Sequence, residues 1–283
     1  MTTQENQPNN QLNHRVLVAG ATGGVGQLTV AKLLETGFTV RVLVRNAEKA
    51  QKMFNDRVEI VFGDIRDRTT LPPATENIDY IICSTGTTAF PSTRWEFDSI
   101  NQGQRLPGSL EWLKIYFDRE YCFAQANNSP EKVDAEGVSN LVAAAPKDLN
   151  RFVFVSSCGI LRKDKKPYSI LNSFGVLDAK AKGETAIAQS GLPYTIIRPA
   201  RLIDGPFTSY DLNTLLTATT GGTLGIVLGT GDTLSGQTSR IDVAAACVEC
   251  LNYSETENTI FELINTGTRP ETIDWKTLFS QLK

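Results

Sequence analysis

Near the start of the chain a short run rich in β-branched and aliphatic residues, Arg15 to Ala19, stops at Gly20-Ala21-Thr22-Gly23-Gly24-Val25-Gly26. Beyond it, apolar residues recur at Val25, Leu28, Val30, Leu33 and Leu34. An apolar run ending in glycines reads as a buried parallel strand, and the change of period from two to about 3.6 reads as strand, turn, helix. Gly20, Gly23 and Gly26 stand three residues apart. In such a loop the first glycine permits the tight turn and the second lets the backbone approach a pyrophosphate. The third brings the helix close, while the helix N-terminus offers free N–H groups to the phosphates. The loop therefore predicts a dinucleotide held along Gly20, Thr22, Gly23, Gly24, Val25 and Gly26.

The rest of the chain repeats that rhythm. Gly37 ends the first helix; strands are expected at 39–44, 58–62, 78–83, 151–155 and 194–197, and helices at 47–54, 133–145 and 180–189. A later strand (224–228), helix (242–251), strand (259–264) and helix (272–282) complete the chain. Alternation of this kind predicts an α/β fold, a Rossmann doubly wound parallel sheet with right-handed crossovers. A small C-terminal substrate lobe is expected from about residues 200–240 and the C-terminus, within a single domain, 14–283. The Gln- and Asn-rich residues 1–13 read as a disordered tail rather than a targeting segment. Residues 95–128 interrupt the rhythm with Trp95, Trp112, Tyr116, Phe117, Tyr121 and Phe123. Within this insertion, 109–125 has amphipathic helical spacing. It can pack on the sheet edge, cover a small-molecule substrate, or dock a protein partner.

Composition removes several classes. A formal net charge of −3 gives no electrostatic case for nucleic acid. No apolar run approaches the roughly 20 residues that span a bilayer. Five cysteines lack disulfide spacing, and Cys247 and Cys250 fall in an apolar helical stretch that favours packed thiols over a metal site. The only histidine is His14, far away in sequence. A soluble protein of a reducing, cytoplasmic compartment is expected.

Cofactor choice is read at the end of the second strand. NAD-specific sites carry an acidic residue there, which binds the ribose hydroxyls. Here the strand ends at Val44-Arg45-Asn46, with Lys49 following. The planar fork of Arg45 suits a 2′-phosphate, so NADP(H) is expected over NAD(H), although Arg45 can also be a solvated surface charge. Asp64 and Ile65, after the third strand, suit an adenine contact. Ser84, Thr85 and Gly86, after the fourth, suit the ribose and pyrophosphate. Ser156 and Ser157 close the fifth strand at the sheet's carboxyl edge, where they either meet ligand or satisfy strand-end backbone groups.

With the loop, Arg45, Asp64, Ser156-Ser157 and Lys180 in view, the chain resembles the atypical short-chain dehydrogenase/reductases. Within them it is similar to the NAD(P)H-binding branch of NmrA-like regulators, flavin/biliverdin-IXβ reductases and the dehydrogenase-like domain of a chloroplast import-associated protein. The resemblance spans residues 14–265 and is most specific at 16–26, 133–138, 151–157 and 190–199. Gly205 to Asn213 resembles a plastid and cyanobacterial subset. In relatives with standard chemistry a Tyr-x-x-x-Lys pair supplies a proton and holds the nicotinamide ribose. The lysine aligns with Lys180, but Val176 stands where the tyrosine would be. The resemblance also places Ser157 or Cys158 at a substrate-polarising position and Pro199 to Leu202 beside the carboxamide.

Three consequences of Val176 remain open: an acceptor of flavin-, quinone- or tetrapyrrole-like kind that needs only hydride; another donor such as Tyr168, Tyr116 or Tyr121; or a cofactor-responsive binding module without turnover. No histidine is available as a base for Cys158. Lys180 can also be a plain surface lysine. Arg240-Ile241-Asp242 reads as a helix start with Asp242 near its N-cap, and a substrate role for Arg240 is a further option.

Overall fold

A computed structural model describes residues 14–92, 94–97, 109–203 and 223–282, with 109 and 110 by backbone alone. The expected tail (1–13), the 205–213 stretch, the middle of the insertion and much of the expected lobe lie outside the described residues. In β1 (Arg15–Ala19), Val16 and Val18 enter the core on one sheet face while Leu17 and Ala19 enter the core on the other. A strand buried on both faces is what its unbroken apolar character dictates.

The chain continues through α1 (Gly24–Glu35), β2 (Thr39–Val44), α2 (Ala47–Phe54), β3 (Glu59–Phe62), α3 (Pro72–Thr75) and β4 (Tyr80–Cys83). The insertion supplies α4 (Ser109–Phe117) and α5 (Arg119–Gln125), and a π-helical turn at Glu131–Gly137 leads into α6 (Val138–Ala144). Next come β5 (Arg151–Val155), α7 (Tyr168–Leu171), α8 (Val176–Ala188), β6 (Tyr194–Pro199) and β7 (Arg201–Leu202). The chain closes with β8 (Leu224–Gly229), β9 (Gln237–Thr238), α9 (Arg240–Glu249), β10 (Thr259–Thr268) and α10 (Trp275–Ser280). Sheet order is β3-β2-β1-β4-β5-β6-β10-β9-β7, with β8 antiparallel to β10. Strand order reverses between β1 and β4, the switch point where such sheets bind ligands.

Several boundaries differ from the sequence reading, each for a local reason. The expected helix at 109–125 is two helices, because the Asp118 side chain accepts from the Tyr121 N–H at 2.9 Å and starts a new one. The helix expected from Lys180 begins at Val176; Gly175 turns the chain at φ 74°, and Asn172 Oδ1 accepts from the Leu177 N–H at 2.9 Å. The expected helix at 133–145 opens as the π-turn. Ser239, not Asp242, caps α9, accepting from the Ile241 N–H at 3.3 Å. Asp242 instead pairs with Arg269 at 2.8 Å. The strand expected at 259–264 extends to Thr268 through its antiparallel pairing with β8.

The insertion makes a small core of its own. Trp95, Phe97, Ile115, Cys122 and Ala126 pack with Phe174, the residue just before the turn into α8. Two buried charge systems brace the sheet, one tying the C-terminal strands to the segment after β5 and one tying β6 to α8. Glu262 accepts from the N–H groups of Asp232, Thr233 and Leu234, and Asp232 in turn accepts from those of Gly159 and Leu161. Arg198 in β6 is bidentate with Glu184 in α8, at 2.9 and 2.5 Å, and both side chains are buried. Burial works against the Arg198 charge, but the two bonds to Glu184 outweigh it and raise its pKa.

Removing one member of such a pair leaves an uncompensated buried charge. Glu184→Leu is therefore expected to cost about 3–5 kcal/mol in urea denaturation. A loss below about 1 kcal/mol, the range of an exposed pair, would show that water reaches Arg198.

Candidate functional site

The glycine loop turns on itself. Gly20 sits at φ 83°, a left-handed conformation, and a Cβ there would lie 2.8 Å from the Ser84 carbonyl carbon and the Thr85 nitrogen. A Cβ on Gly26 would collide with the Gly20 carbonyl oxygen and the Ala21 Cα. The third glycine thus packs the first turn of α1 onto the loop's own backbone rather than onto the sheet. Gly23 caps α1 without a side-chain bond, and no acidic residue stands in the first turn. That end presents N–H groups and the positive end of the helix dipole, the provision an anion needs.

An open cleft of about 730 Å³ lies beside the loop, walled by Gly20, Thr22 and Gly23, by Arg45, Asp64 and Ile65, and by Ser84, Thr85 and Gly86. Nine expected residues from four strand ends therefore meet in one place. Gly24, Val25 and Gly26 form the first turn of α1 beside it. A wider groove of about 900 Å³ runs along α5 and α8, but none of the expected residues lines it. The cleft at the switch point joins a helix N-terminus to a cationic rim, a setting that suits a dinucleotide's adenosine and pyrophosphate.

The rim carries charges that the sequence did not order. Arg66 bonds both oxygens of Asp64. Burial pushes the Asp64 carboxyl up, yet the bonds and charge of Arg66, with Arg45 adding to them, hold it below the ordinary carboxylate range. Arg45, about half exposed, pairs with Glu96 at 2.6 Å.

Lys180 is not a surface lysine: the residue is 7% exposed. Its Nζ lies 2.9 Å from Asp134 Oδ1, donates to the Val155 carbonyl at 3.2 Å, and stands over the Phe154 ring. Asp134 is wholly buried, and its other oxygen accepts from the Thr87 N–H at 3.1 Å and hydroxyl at 2.7 Å. A Cβ on Gly86 would lie 3.4 Å from both Lys180 Nζ and Asp134 Oδ1, so the pair stands directly behind a cleft wall. Asp134 comes from the π-turn, whose extra residue re-aims the side chains that follow, as π-bulges at functional sites do. The stretch 133–138 is distinctive in the sequence, but a lone Asp in it gave no hint of its partner.

At the carboxyl edge of β5, Ser157 Oγ donates to the Cys158 carbonyl at 3.0 Å and Cys158 Sγ donates inward to the Arg198 carbonyl at 3.1 Å. Ser156 Oγ is buried and, among the described residues, has no hydrogen-bond partner. An orphaned hydroxyl at the ligand edge of the sheet fits a cofactor reaching across it. Pro199 ends β6, and Leu202 lies in β7. The Arg240 side chain runs across the first turn of α1, close enough that a Cβ on Gly24 would meet it at 2.9 Å. Among the described residues, no tyrosine lines the cleft. Tyr168 bonds Ser235, Tyr116 donates to the Pro91 carbonyl at 2.6 Å, and Tyr121 faces Glu111. Val176 is buried against Ile160 and Leu177.

A family model described as NAD(P)H-binding matches residues 20–254. Sanguinarine reductase from Eschscholzia californica is 33% identical over 289 residues, covering 94% of this chain and 95% of that one. Photosystem II assembly factor Ycf39 from Trieres chinensis is 28% identical over 249 residues, covering 88% of this chain and 63% of that one. Among solved structures, the anaerobillin reductase ChuY from Escherichia coli O157:H7 matches with a TM-score of 0.62 at 20% identity, covering 90% and 99% of the two chains. At that identity the likeness is one of fold.

Two outcomes follow from this geometry. Gly26→Val should abolish nucleotide binding in a fluorescence titration while circular dichroism retains the α/β signature; full affinity would mean that the loop is not the phosphate site. Burial, then the charges of Glu262 and Asp232, push the Cys158 thiol up to about 12. At pH 8 only about one molecule in ten thousand would then carry the Cys158 thiolate, so iodoacetamide should leave it unmodified until denaturant is added, by peptide mass.

Proposed function

The chain belongs to the NAD(P)H-binding family, and from that premise we propose that it is an NADP(H)-dependent oxidoreductase of the atypical short-chain dehydrogenase type. Its acceptor is a conjugated molecule of flavin-, quinone- or tetrapyrrole-like chemistry. The observation that carries the cofactor choice is the end of β2, where Arg45 reaches the cleft in the place of an acid. A relative named as a reductase, sanguinarine reductase, supports the reaction class.

The bound nicotinamide supplies hydride. The protein's share is to bind, orient and position charge. The α1 N-terminus and the loop backbone receive the pyrophosphate, Asp64 and Ile65 flank the adenine, and Arg45 takes the 2′-phosphate. Lys180, fixed by Asp134 and the Val155 carbonyl, holds an ammonium behind Gly86, where the ribose hydroxyls of the nicotinamide half come within its reach. Val176 has no proton to give, and the three candidate tyrosines are bonded elsewhere. With no donor in place among the described residues, the proton that completes reduction is assigned to water, which suits an acceptor whose reduced form is stable as an anion or protonates at an exposed heteroatom.

A second reading rests on a different observation: Leu113, Tyr116 and Phe117 on α4 are exposed, Phe117 at 85%. Apolar side chains in that number on one short helix suit a docking face, and the protein would then be a non-catalytic, NADP(H)-responsive assembly factor. Ycf39 is named as such a factor. The two readings part in one assay. With NADPH and a flavin, quinone or linear tetrapyrrole, the nicotinamide absorbance band should fade; tight NADPH binding without oxidation by any of them favours the docking role. Arg45→Ala should weaken NADPH about tenfold and leave NADH within twofold, and an unchanged NADPH/NADH ratio would remove the 2′-phosphate assignment.

A further inference from the structure

Glu96 stands between the two arginines of the adenosine rim. Its Oε1 lies 2.6 Å from Arg45 Nη1 and its Oε2 lies 3.1 Å from Arg66 Nη1, so each oxygen takes one guanidinium. Both arginines line the cleft, Arg45 from the end of β2 and Arg66 from the turn after β3. The backbone that carries this carboxylate is pinned. The Glu96 N–H donates to Asn128 Oδ1 at 2.7 Å, its carbonyl accepts from the Asn127 N–H at 2.6 Å, and Phe97 forms a β-bridge with Ala126. Its neighbours Trp95 and Phe97 are buried in the insertion's core. A residue held this way keeps its carboxylate at high effective concentration beside the arginines, while the side chain, 44% exposed, remains free to rotate away.

We infer that Glu96 is an internal anion occupying the place of the cofactor's 2′-phosphate, and that it sets nucleotide selectivity by competing with it. The inference rests on the assignment of Arg45 to the 2′-phosphate. A phosphomonoester brings about −1.5 to −2 charge and three acceptor oxygens, against one charge and two oxygens on Glu96. NADP(H) therefore displaces the carboxylate but binds more weakly than it would at a rim without Glu96. NAD(H) brings only a 2′-hydroxyl, leaves the Glu96 pairs intact, and gains a carboxylate as a possible acceptor for that hydroxyl. Selectivity at this rim is thus a difference between two anions for one pair of arginines, and the insertion supplies one of them.

Full-length protein, wild type and Glu96→Gln, is titrated with NADPH, NADH, 2′,5′-ADP and 5′-AMP. Exposed ion pairs are each worth up to about fivefold in an equilibrium constant, so Glu96→Gln should tighten NADPH and 2′,5′-ADP about three- to tenfold. 5′-AMP and NADH should stay within twofold or weaken, and the gain should fade as salt screens the rim. A purely structural role for Glu96 would move all four ligands together, and that result, or no tightening at all, overturns the inference. Arg45→Ala separates its failure from that of the premise. If the wild type prefers 2′,5′-ADP to 5′-AMP and Arg45→Ala removes the preference while Glu96→Gln changes nothing, only the competition fails. If the wild type shows no preference and Glu96→Gln creates one, the competition stands and the NADP(H) assignment of the native protein fails.

Discussion

The contact of Gly26 with the Gly20 carbonyl sets where everything else in the site can be. With no side chain at either position, the first turn of α1 lies on the turn that leaves β1, and Gly20 lies on the backbone of Ser84 and Thr85 after β4. Two strand ends and one helix end are thereby held within a few ångströms of each other at the point where strand order reverses. The cleft is the space left above that junction. Its polarity is fixed by backbone, since an uncapped helix start faces it, and backbone dipoles cost no reorganisation when an anion arrives.

Around that backbone frame the protein places its charges in opposed pairs. Lys180 faces Asp134, Arg198 faces Glu184, Arg66 faces Asp64, and Arg45 faces Glu96. They differ in what burial does to them. The first two are shut away from water, so neither partner can leave without stranding a charge; they define where β5, β6, α8 and the π-turn sit. Of the two at the rim, Arg66–Asp64 is less than a quarter exposed while Arg45–Glu96 is about half open, and there an incoming anion can exchange with the Glu96 carboxylate at little cost. On the proposed reading, this gradient from the fixed Lys180–Asp134 pair behind Gly86 to the exchangeable Arg45–Glu96 pair at the cleft's edge would serve positioning at the nicotinamide half and discrimination at the adenosine half.

The parts legible in the sequence were those carried by local period and by backbone chemistry. Val16 to Ala19 and Phe152 to Val155 have no polar face to hide, so they could only be inner strands of a sheet covered on both sides. Gly20, Gly23 and Gly26 announced the turn, and at Gly20 and Gly26 a Cβ would run into neighbouring backbone. Helix edges were missed where one polar side chain decides them: Asp118 splitting 109–125, Asn172 and Gly175 bringing the start of α8 forward to Val176, Ser239 capping α9. The short strands β7 and β9 have too few residues to show a period. Arg66, Glu96 and Asp134 stayed hidden for a different reason. Each matters through a partner 30 or more residues away in sequence, apart from the local Asp64–Arg66 pair, and a lone charged residue in a polar stretch reads as solvated surface.

Val176 is where the sheet geometry and the missing proton donor meet. In place of a hydroxyl four residues before Lys180, the first turn of α8 puts an aliphatic side chain into a small apolar cluster with Ile160 and Leu177. Lys180 has no phenol to act upon, yet it is held by three partners: Asp134, the Val155 carbonyl and the Phe154 ring. A lysine kept only for its effect on a lost tyrosine would have no reason to be enclosed this way, because burying a cation is costly unless it is paired. On the proposed reading, a ligand hydroxyl or phosphate on the far side of Gly86 would give the enclosure its purpose. On the same reading, the pair serves cofactor binding without a proton relay, and the chemistry left to the protein would be the hydride half of a reduction.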